Sequence, residues 1–165
     1  MKHKYLLIGF ILLQIKVFAQ DYTQAVGIRA GMTSGMAYKY FMDDENGIEF
    51  SAGFQRSGIQ LYIIKQYYQP IFLEYTQQLF FFFGAGGHFG YSLIDNEAQI
   101  INGEKYYKKQ FSLGLGIDAD IGLEYHILKF PVAISLDYKP YFEVNMPIYF
   151  RKNFFNFTLS VYYTF

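Results

Sequence analysis

The chain has 165 residues, with 14 basic residues balanced by 14 acidic ones, and it contains no cysteine. The lack of cysteine excludes disulfides and a lipidated N-terminal cysteine, and the absence of a basic patch gives no reason to expect nucleic acid as a partner. Aromatic residues make up 22% of the chain and prolines number only four, which favours a β-rich fold.

The first 19 residues have the pattern of a signal peptide. A basic start at Lys2–Lys4 is followed by the apolar run Tyr5–Leu13, and Val17 and Ala19 occupy the −3 and −1 positions of a cleavage site. The alternative is an uncleaved anchor, but this apolar run is far shorter than the roughly 20 residues that a spanning helix needs. We therefore predict a signal peptide at 1–19 and a single exported domain at 20–165.

Alternation of apolar and polar residues with period two recurs along the exported domain and predicts strands. The predicted strands are about Ala25–Met32, Gly35–Met42, Ile48–Gln55, Ile59–Tyr68, Leu79–Tyr91, Leu113–His126, Val132–Val144 and a last strand that ends at Phe165. Eight strands of about ten residues suit a tilted crossing of a bilayer. The longest gap, Ser92–Gln110, is an outer loop if the N-terminus is periplasmic. The sequence predicts an all-β, eight-stranded antiparallel up-and-down transmembrane β-barrel.

A soluble barrel of the lipocalin kind, with its apolar face inside, is the structural alternative. Nearly all strand glycines share the polar face. Glycine has no purpose on a solvated outer wall, whereas in a narrow lumen it relieves crowding. We therefore expect the polar face to line the lumen.

Strand parity places charged residues of both signs in that lumen. The predicted lumen network consists of Arg29, Lys39, Glu49, His88, Asp118, Asp120, Glu124, Asp137, Lys139 and Glu143. Buried charges need partners, so we expect Lys39 near Glu49 across a hairpin and Arg29 as a clamp for the remaining carboxylates. We also expect Asp118 or Asp120 near Lys139. The network would plug the lumen.

Several segments resemble a known family. They are Val26–Gly31, Tyr38–Phe41, Phe83–His88, Gly116–Tyr125 and Leu136–Pro140. They are similar to the small outer-membrane β-barrel proteins common in Bacteroidota, which are exported and OmpX/OmpA-like in architecture. The resemblance implies residence in a bacterial outer membrane. It also implies that the last strand is the signal for the barrel assembly machinery, carried by Phe157, Leu159, Val161, Tyr163 and Phe165.

Catalytic and metal chemistry have weak support in the sequence. His88 could serve a lipid A-modifying enzyme, but its parity turns it into the lumen, where a hydrogen bond to Asp118 is the simpler expectation. Acidic residues on one strand face converge poorly on a metal ion. We predict no enzyme activity, no metal and no cofactor, and keep a lipid-modifying enzyme and a narrow small-solute channel as alternatives.

The last prediction concerns basic residues at the end of the barrel away from the termini. They are Arg56, Lys105, Lys108, Lys109, Arg151 and Lys152. Basic side chains bind anionic lipid headgroups, so we expect contacts with outer-membrane lipids, including lipopolysaccharide. The expected protein is a monomer with a structural or surface-interaction role.

Overall fold

The computed structural model describes residues 22–55, 58–71, 78–95, 99–101, 104–106, 109–127, 129–146 and 149–165. The predicted signal peptide, Arg56 and Lys108 lie outside these residues. In this described part, no helix has the length and hydropathy needed to cross a bilayer. The strands are β1 (Gln24–Gly31), β2 (Ser34–Phe41), β3 (Asn46–Gln55), β4 (Gly58–Pro70), β5 (Leu79–Asp95), β6 (Gln99–Ile101), β7 (Glu104–Tyr106), β8 (Lys109–Ile127), β9 (Val132–Tyr138), β10 (Tyr141–Met146), β11 (Tyr149–Asn153) and β12 (Phe157–Thr164).

The strands close into one antiparallel barrel. Neighbours in the chain pair from β1 to β5, and β5 pairs with β8. The seventh barrel strand consists of β9 and β10, which both pair with β8, and the eighth consists of β11 and β12. β12 pairs back with β1 and closes the wall. The predicted eight-stranded antiparallel barrel is confirmed, while β6 and β7 form a separate small hairpin.

The register shows how far the strands tilt. Starting from Ile28, one can move from each residue to its ladder partner on the next strand and so go around the barrel. One direction reaches Tyr125 on β8, and the other reaches Leu115 on the same strand, ten residues away. Such a stagger tilts the strands against the barrel axis, and eight strands then enclose a lumen that side chains just fill.

Polar side chains line the inside and apolar ones cover the outside. Ile28, Leu115 and Ile117 are 66%, 67% and 68% exposed, whereas Lys39, Glu49 and Asp120 are at most 1% exposed. A water-soluble protein has the reverse distribution. The apolar face is therefore the outer face, and the soluble alternative is wrong.

The seventh and eighth barrel strands are interrupted side by side. Lys139 and Pro140 separate β9 from β10, and three residues, Phe154–Asn156, separate β11 from β12. Because these three residues of the eighth barrel strand lie opposite only two of the seventh, they form a β-bulge. Residues with odd numbers face the lumen before the bulge, and residues with even numbers face it after the bulge. Arg151 accordingly pairs with the inward Glu143, while Asn156 is itself buried.

Two predicted boundaries are wrong. The residues of the expected loop Ser92–Gln110 pair at both ends, from Ser92 with Ser112 to Asp95 with Lys109, so β5 and β8 extend the wall as a two-stranded arm. Arg151 and Lys152 were expected in a loop but lie in β11, paired with β10. We call the end with this arm the arm end, and the opposite end, which holds the chain termini, the terminal end.

Candidate functional site

The lumen holds all ten residues of the predicted network. Each of them is at least nine-tenths buried: Arg29, Lys39, Glu49, His88, Asp118, Asp120, Glu124, Asp137, Lys139 and Glu143. They form three groups along the barrel axis, which we call central, lower and upper, the lower group being nearest the terminal end.

The central group joins two cations to three carboxylates. Arg29 donates to Glu49 through one guanidinium nitrogen and to Asp137 Oδ2 through the other, at 2.6 Å. Lys139 Nζ donates to Glu49 Oε1 at 3.1 Å and lies 3.8 Å from Asp120 Oδ2. Arg29 is thus the expected clamp, and of the two candidate partners of Lys139 the structure selects Asp120.

Neutral donors complete the central group. Gln66 Nε2 donates to Asp120 Oδ2 at 2.6 Å, and Tyr162 Oη and Ser51 Oγ donate to Glu49 at 3.1 and 3.2 Å. The sequence prediction missed Gln66 and Tyr162, although both share strand parity with predicted lumen positions. Neutral donors matter because they satisfy carboxylate oxygens that the cations do not reach.

The lower group corrects one predicted pair. Lys39 and Glu49 are paired across the β2–β3 hairpin, as expected, but Lys39 Nζ reaches across the lumen to Glu124 Oε2 at 2.5 Å. The Lys39 ammonium also lies 4.2 Å from the centroid of the Tyr162 ring, where a cation is attracted to the aromatic face. Tyr22 Oη donates to Glu124 Oε1 at 3.2 Å and closes this group toward the terminal end.

The upper group places His88 between two acids. His88 Nδ1 lies 2.8 Å from Asp118 Oδ2, and His88 Nε2 lies 3.0 Å from Glu143 Oε2. If both carboxylates are ionised, each ring nitrogen donates a proton to one of them. Gln60 Nε2 and Asn145 Nδ2 donate to Glu143 at 2.7 Å each. The expected hydrogen bond between His88 and Asp118 is present.

A glycine makes room for the His88 ring. A Cβ on Gly116 would overlap His88 Cε1 and lie 2.6 Å from the Phe142 carbonyl oxygen. A side chain at this position would displace the imidazole from the gap between its two acids. Glycine is therefore required here by close approach rather than by backbone conformation.

The environment of His88 does not suit acyl-transfer catalysis. His88 is 2% exposed and faces the lumen, and its two nitrogens are both engaged by carboxylates. Ser92 lies four residues along the same strand, about 13 Å at the usual rise, which is beyond reach of a histidine base. Among the described residues, no three acids or histidines converge on a common metal position.

The predicted surface residues are the basic residues of the arm end and the apolar residues of the last strand. Arg151 and Lys152 are exposed on β11, while Lys105 lies in β7 and Lys109 at the start of β8. The last strand presents its apolar side chains outward, with exposed fractions between 38% and 54% for Phe157, Leu159, Val161, Tyr163 and Phe165.

One ionisable group outside the wall has a shifted pKa. The turn between β2 and β3 at the terminal end contains Asp43, whose carboxylate accepts from the Asn46 side-chain amide and from the backbone N–H groups of Glu45 and Asn46. These hydrogen bonds, that from the Asn46 side chain first, lower the pKa of Asp43.

The apolar exterior, the ion-paired interior and the closed register together define a class, the eight-stranded β-barrel of the kind that spans bacterial outer membranes. The N-terminal β-barrel domain of Pseudomonas aeruginosa OprF has a similar fold, with a TM-score of 0.50 and 13% identity over 88% of this chain and 100% of that one. Neisserial surface protein A (NspA) gives a TM-score of 0.45 and 14% identity over 86% of this chain and 93% of that one. No family model matches the sequence, and neither does any curated protein. These comparisons do not support the narrower expectation of a Bacteroidota family.

Proposed function

We propose that this protein is an exported, monomeric barrel of the bacterial outer membrane with a non-enzymatic structural or surface-interaction role. One observation carries the proposal: the distribution of polarity is the reverse of that in a water-soluble protein, with ion pairs inside the barrel and apolar side chains outside. An apolar exterior of this extent is stable only against lipid, and the pairing of β1 with β12 closes the barrel along the edges of the first and last strands.

Export and orientation follow from the same proposal. The signal peptide at 1–19 would direct the chain across the inner membrane, leaving 20–165 as the mature domain. The terminal end would face the periplasm and the arm end the exterior, since such barrels keep short turns inside and longer extensions outside. The outward apolar residues of β12 would serve as the assembly signal for the barrel assembly machinery.

The proposed partners are the lipids of the outer leaflet, including lipopolysaccharide. Support comes from the basic residues at the arm end, of which Arg151 and Lys152 are exposed. Cationic side chains near a membrane surface favour anionic headgroups by about 1 kcal/mol each. The arm formed by β5 and β8 would provide the surface for other contacts outside the cell.

The lumen argues against the two alternatives. Long buried side chains cross it at three levels, which leaves little room for a small-solute channel, and His88 is held inside by two acids. Planar-bilayer recordings test the channel: steady single-channel conductance would restore it. Mass analysis of lipid A from cells with and without the protein tests the enzyme, with His88→Ala as the comparison.

The first experiment is gel mobility of the protein before and after boiling, together with fractionation of the cells that produce it. We expect slower migration after boiling and recovery in the outer-membrane fraction, because closed barrels resist detergent until heated. A soluble protein whose mobility does not change on boiling would overturn the proposal.

A further inference from the structure

The barrel wall has a gap between its eighth and first strands at the arm end. The last ladder pair between β1 and β12 is Gly31 with Thr158, and Met32 N donates to Phe157 O at 3.4 Å just above it. Beyond that level the five residues of β11 have a ladder neighbour only on the β10 side, within the part of the chain that the structure describes. Five strand residues span about 16 Å. We call this gap the notch; it is bounded by β11, Phe154–Asn156 and Met32–Ser34.

A cavity beneath the notch reaches into the lumen. Thr33, Asn156 and Thr158 line it, and Arg29 and Lys139 of the central group form its inner wall. Thr33 Oγ1 donates to Asn156 Oδ1 at 3.4 Å, so the short turn between β1 and β2 contacts the bulge here. The cavity therefore adjoins the floor of the notch at Thr33 and Asn156, and polar side chains line it there.

Two buried polar groups in this cavity have no hydrogen-bond partner among the described residues. They are Asn156 Nδ2 and Thr158 Oγ1, and both side chains are 1% exposed. A buried donor without an acceptor destabilises the protein, because it has lost its hydrogen bonds to water and gained none in exchange. An oxygen acceptor that enters from the notch would satisfy the Asn156 amide.

The rim of the notch adds positive charge and apolar surface. Arg151 and Lys152 are both exposed, but as consecutive strand residues they lie on opposite faces of β11: Arg151 is on the lumen side, paired with Glu143, and Lys152 is on the outer side, with its ammonium 5.8 Å from the centroid of the Phe154 ring. Phe155 is 75% exposed and Met32 is 59% exposed on the flanks. Positive charge at the rim, apolar flanks and a buried donor below match an amphipathic ligand that carries an anion, an acyl chain and a carbonyl oxygen.

We infer that the notch binds one phosphorylated acyl lipid of the outer leaflet. Its phosphate pairs with Lys152 on the outer face of β11, and the ester or amide carbonyl of its acyl chain accepts from Asn156 Nδ2. The phosphate stays at the rim because the central group, with three carboxylates against two cations, already has an excess of negative charge. This inference rests on the proposed function, since it requires the barrel to sit in a bilayer.

The chain contains no tryptophan, so a single substitution installs a unique fluorescent probe. The variant Phe155→Trp carries its indole at the notch, and we call that indole the notch probe. The variant Phe89→Trp carries a matched indole on β5, across the barrel and facing lipid, which we call the wall probe. Each purified protein is reconstituted in phosphatidylcholine vesicles that contain increasing fractions of brominated phosphatidylglycerol, whose bromine quenches indole fluorescence on contact. Folding of every variant is checked by its mobility shift on boiling.

We expect the notch probe to be half-quenched at a brominated lipid fraction about fivefold lower than the fraction that half-quenches the wall probe. The reason is that one basic residue favours an anionic lipid by about fivefold. Lys152→Ala should make the two quenching curves coincide, and Lys129→Ala, which removes an exposed charge at the terminal end, should leave them apart. Asn156→Leu should also reduce the lipid preference that the notch probe reports, whereas Thr164→Val, a buried change at the terminal end, should not.

Three results would overturn the inference. Identical quenching curves for the two probes would mean that the notch holds only bulk lipid. Quenching of the wall probe without quenching of the notch probe would mean that a protein strand, rather than a lipid, covers the edge of β11. If neither probe is quenched, the exterior does not face lipid, and the proposed function fails together with the site.

Discussion

The central and upper groups of the lumen solve the same problem with different residues. In the central group two long cations reach three carboxylates from several strands, and Gln66 and Tyr162 fill the remaining positions. In the upper group a single short ring bridges Asp118 and Glu143, and it does so only because Gly116 leaves room. The central group is therefore a mesh with shared partners, and the upper group is a single bridge.

The difference predicts which substitutions destabilise each group. Removing one cation from the mesh leaves a buried cluster with three negative charges and one positive charge. Removing the bridge leaves two acids facing each other but frees few other groups. Substitutions that separate these two situations test the comparison directly.

Loss of Arg29 should have the largest effect. Arg29→Met leaves Glu49 and Asp137 without their guanidinium partner, and breaking a buried pair in this way costs about 3–5 kcal/mol. Urea unfolding of the detergent-folded barrel, followed by gel mobility, measures the loss. Glu49→Gln is the matched comparison: it leaves two cations with two carboxylates, so we expect a smaller loss. A larger loss for Glu49→Gln would show that charge count does not govern the central group.

Loss of the His88 bridge should come second. His88→Leu places an apolar side chain between Asp118 and Glu143, and we expect a destabilisation of about 2–3 kcal/mol because two charged acceptors lose their donor. The same unfolding assay applies. Adding Glu143→Leu should recover part of the loss by removing one of the facing acids. A double variant less stable than His88→Leu would contradict the bridge.

Filling Gly116 should weaken the upper group alone. Gly116→Ala brings a methyl group against the His88 ring and the strand backbone, and overpacking of this kind costs about 1–3 kcal/mol. Gly87→Ala is the control, since its Cβ would meet only the Gly116 carbonyl oxygen, at 3.0 Å. Equal melting temperatures for the two variants would remove the steric argument. A shift of the His88 ring signals in NMR spectra of Gly116→Ala would support it.

The smallest effect on stability is expected for Asp43, whose carboxylate accepts its hydrogen bonds in an exposed turn. The lowered pKa of Asp43 means that its hydrogen bonds stabilise the fold above the usual aspartate pKa, and that this contribution disappears as the pH falls through the lowered value. Asp43→Asn should therefore lower the melting temperature slightly at pH 7 and not at all at strongly acidic pH. Asp44→Asn serves as the control. A difference that persists in acid would exclude the carboxylate as its source.

Much of the fold could be predicted because period-two alternation fixes which face of each strand is apolar. The same parity assigned all ten lumen residues to the interior, where the structure places them. Parity cannot say which charges meet, because the partners depend on strand tilt and on the reach of each side chain. Lys39 illustrates this: its ladder partner is Glu49, but its ammonium binds Glu124 on β8.

The bulge escaped prediction for a different reason. One extra residue at Phe154–Asn156 reverses the parity of the eighth barrel strand, so a pattern extended backward from Phe165 misplaces β11. Nothing in the local sequence marks the extra residue except the neighbouring interruption at Pro140, which lies on another strand. The notch depends on the paired register, which period-two alternation does not determine.

The ladder that closes the barrel has a kinetic consequence. It joins Ala25 to Thr164, which are 139 positions apart, and the clamp from Arg29 to Asp137 spans 108. Contacts this distant are slow to form, because the entropy of closing a long loop is lost before any of them contributes. Neither the wall nor the charge mesh can be finished before the last strand has been synthesised. We therefore expect folding in one late, slow and cooperative step, with the chain held unfolded until that strand arrives.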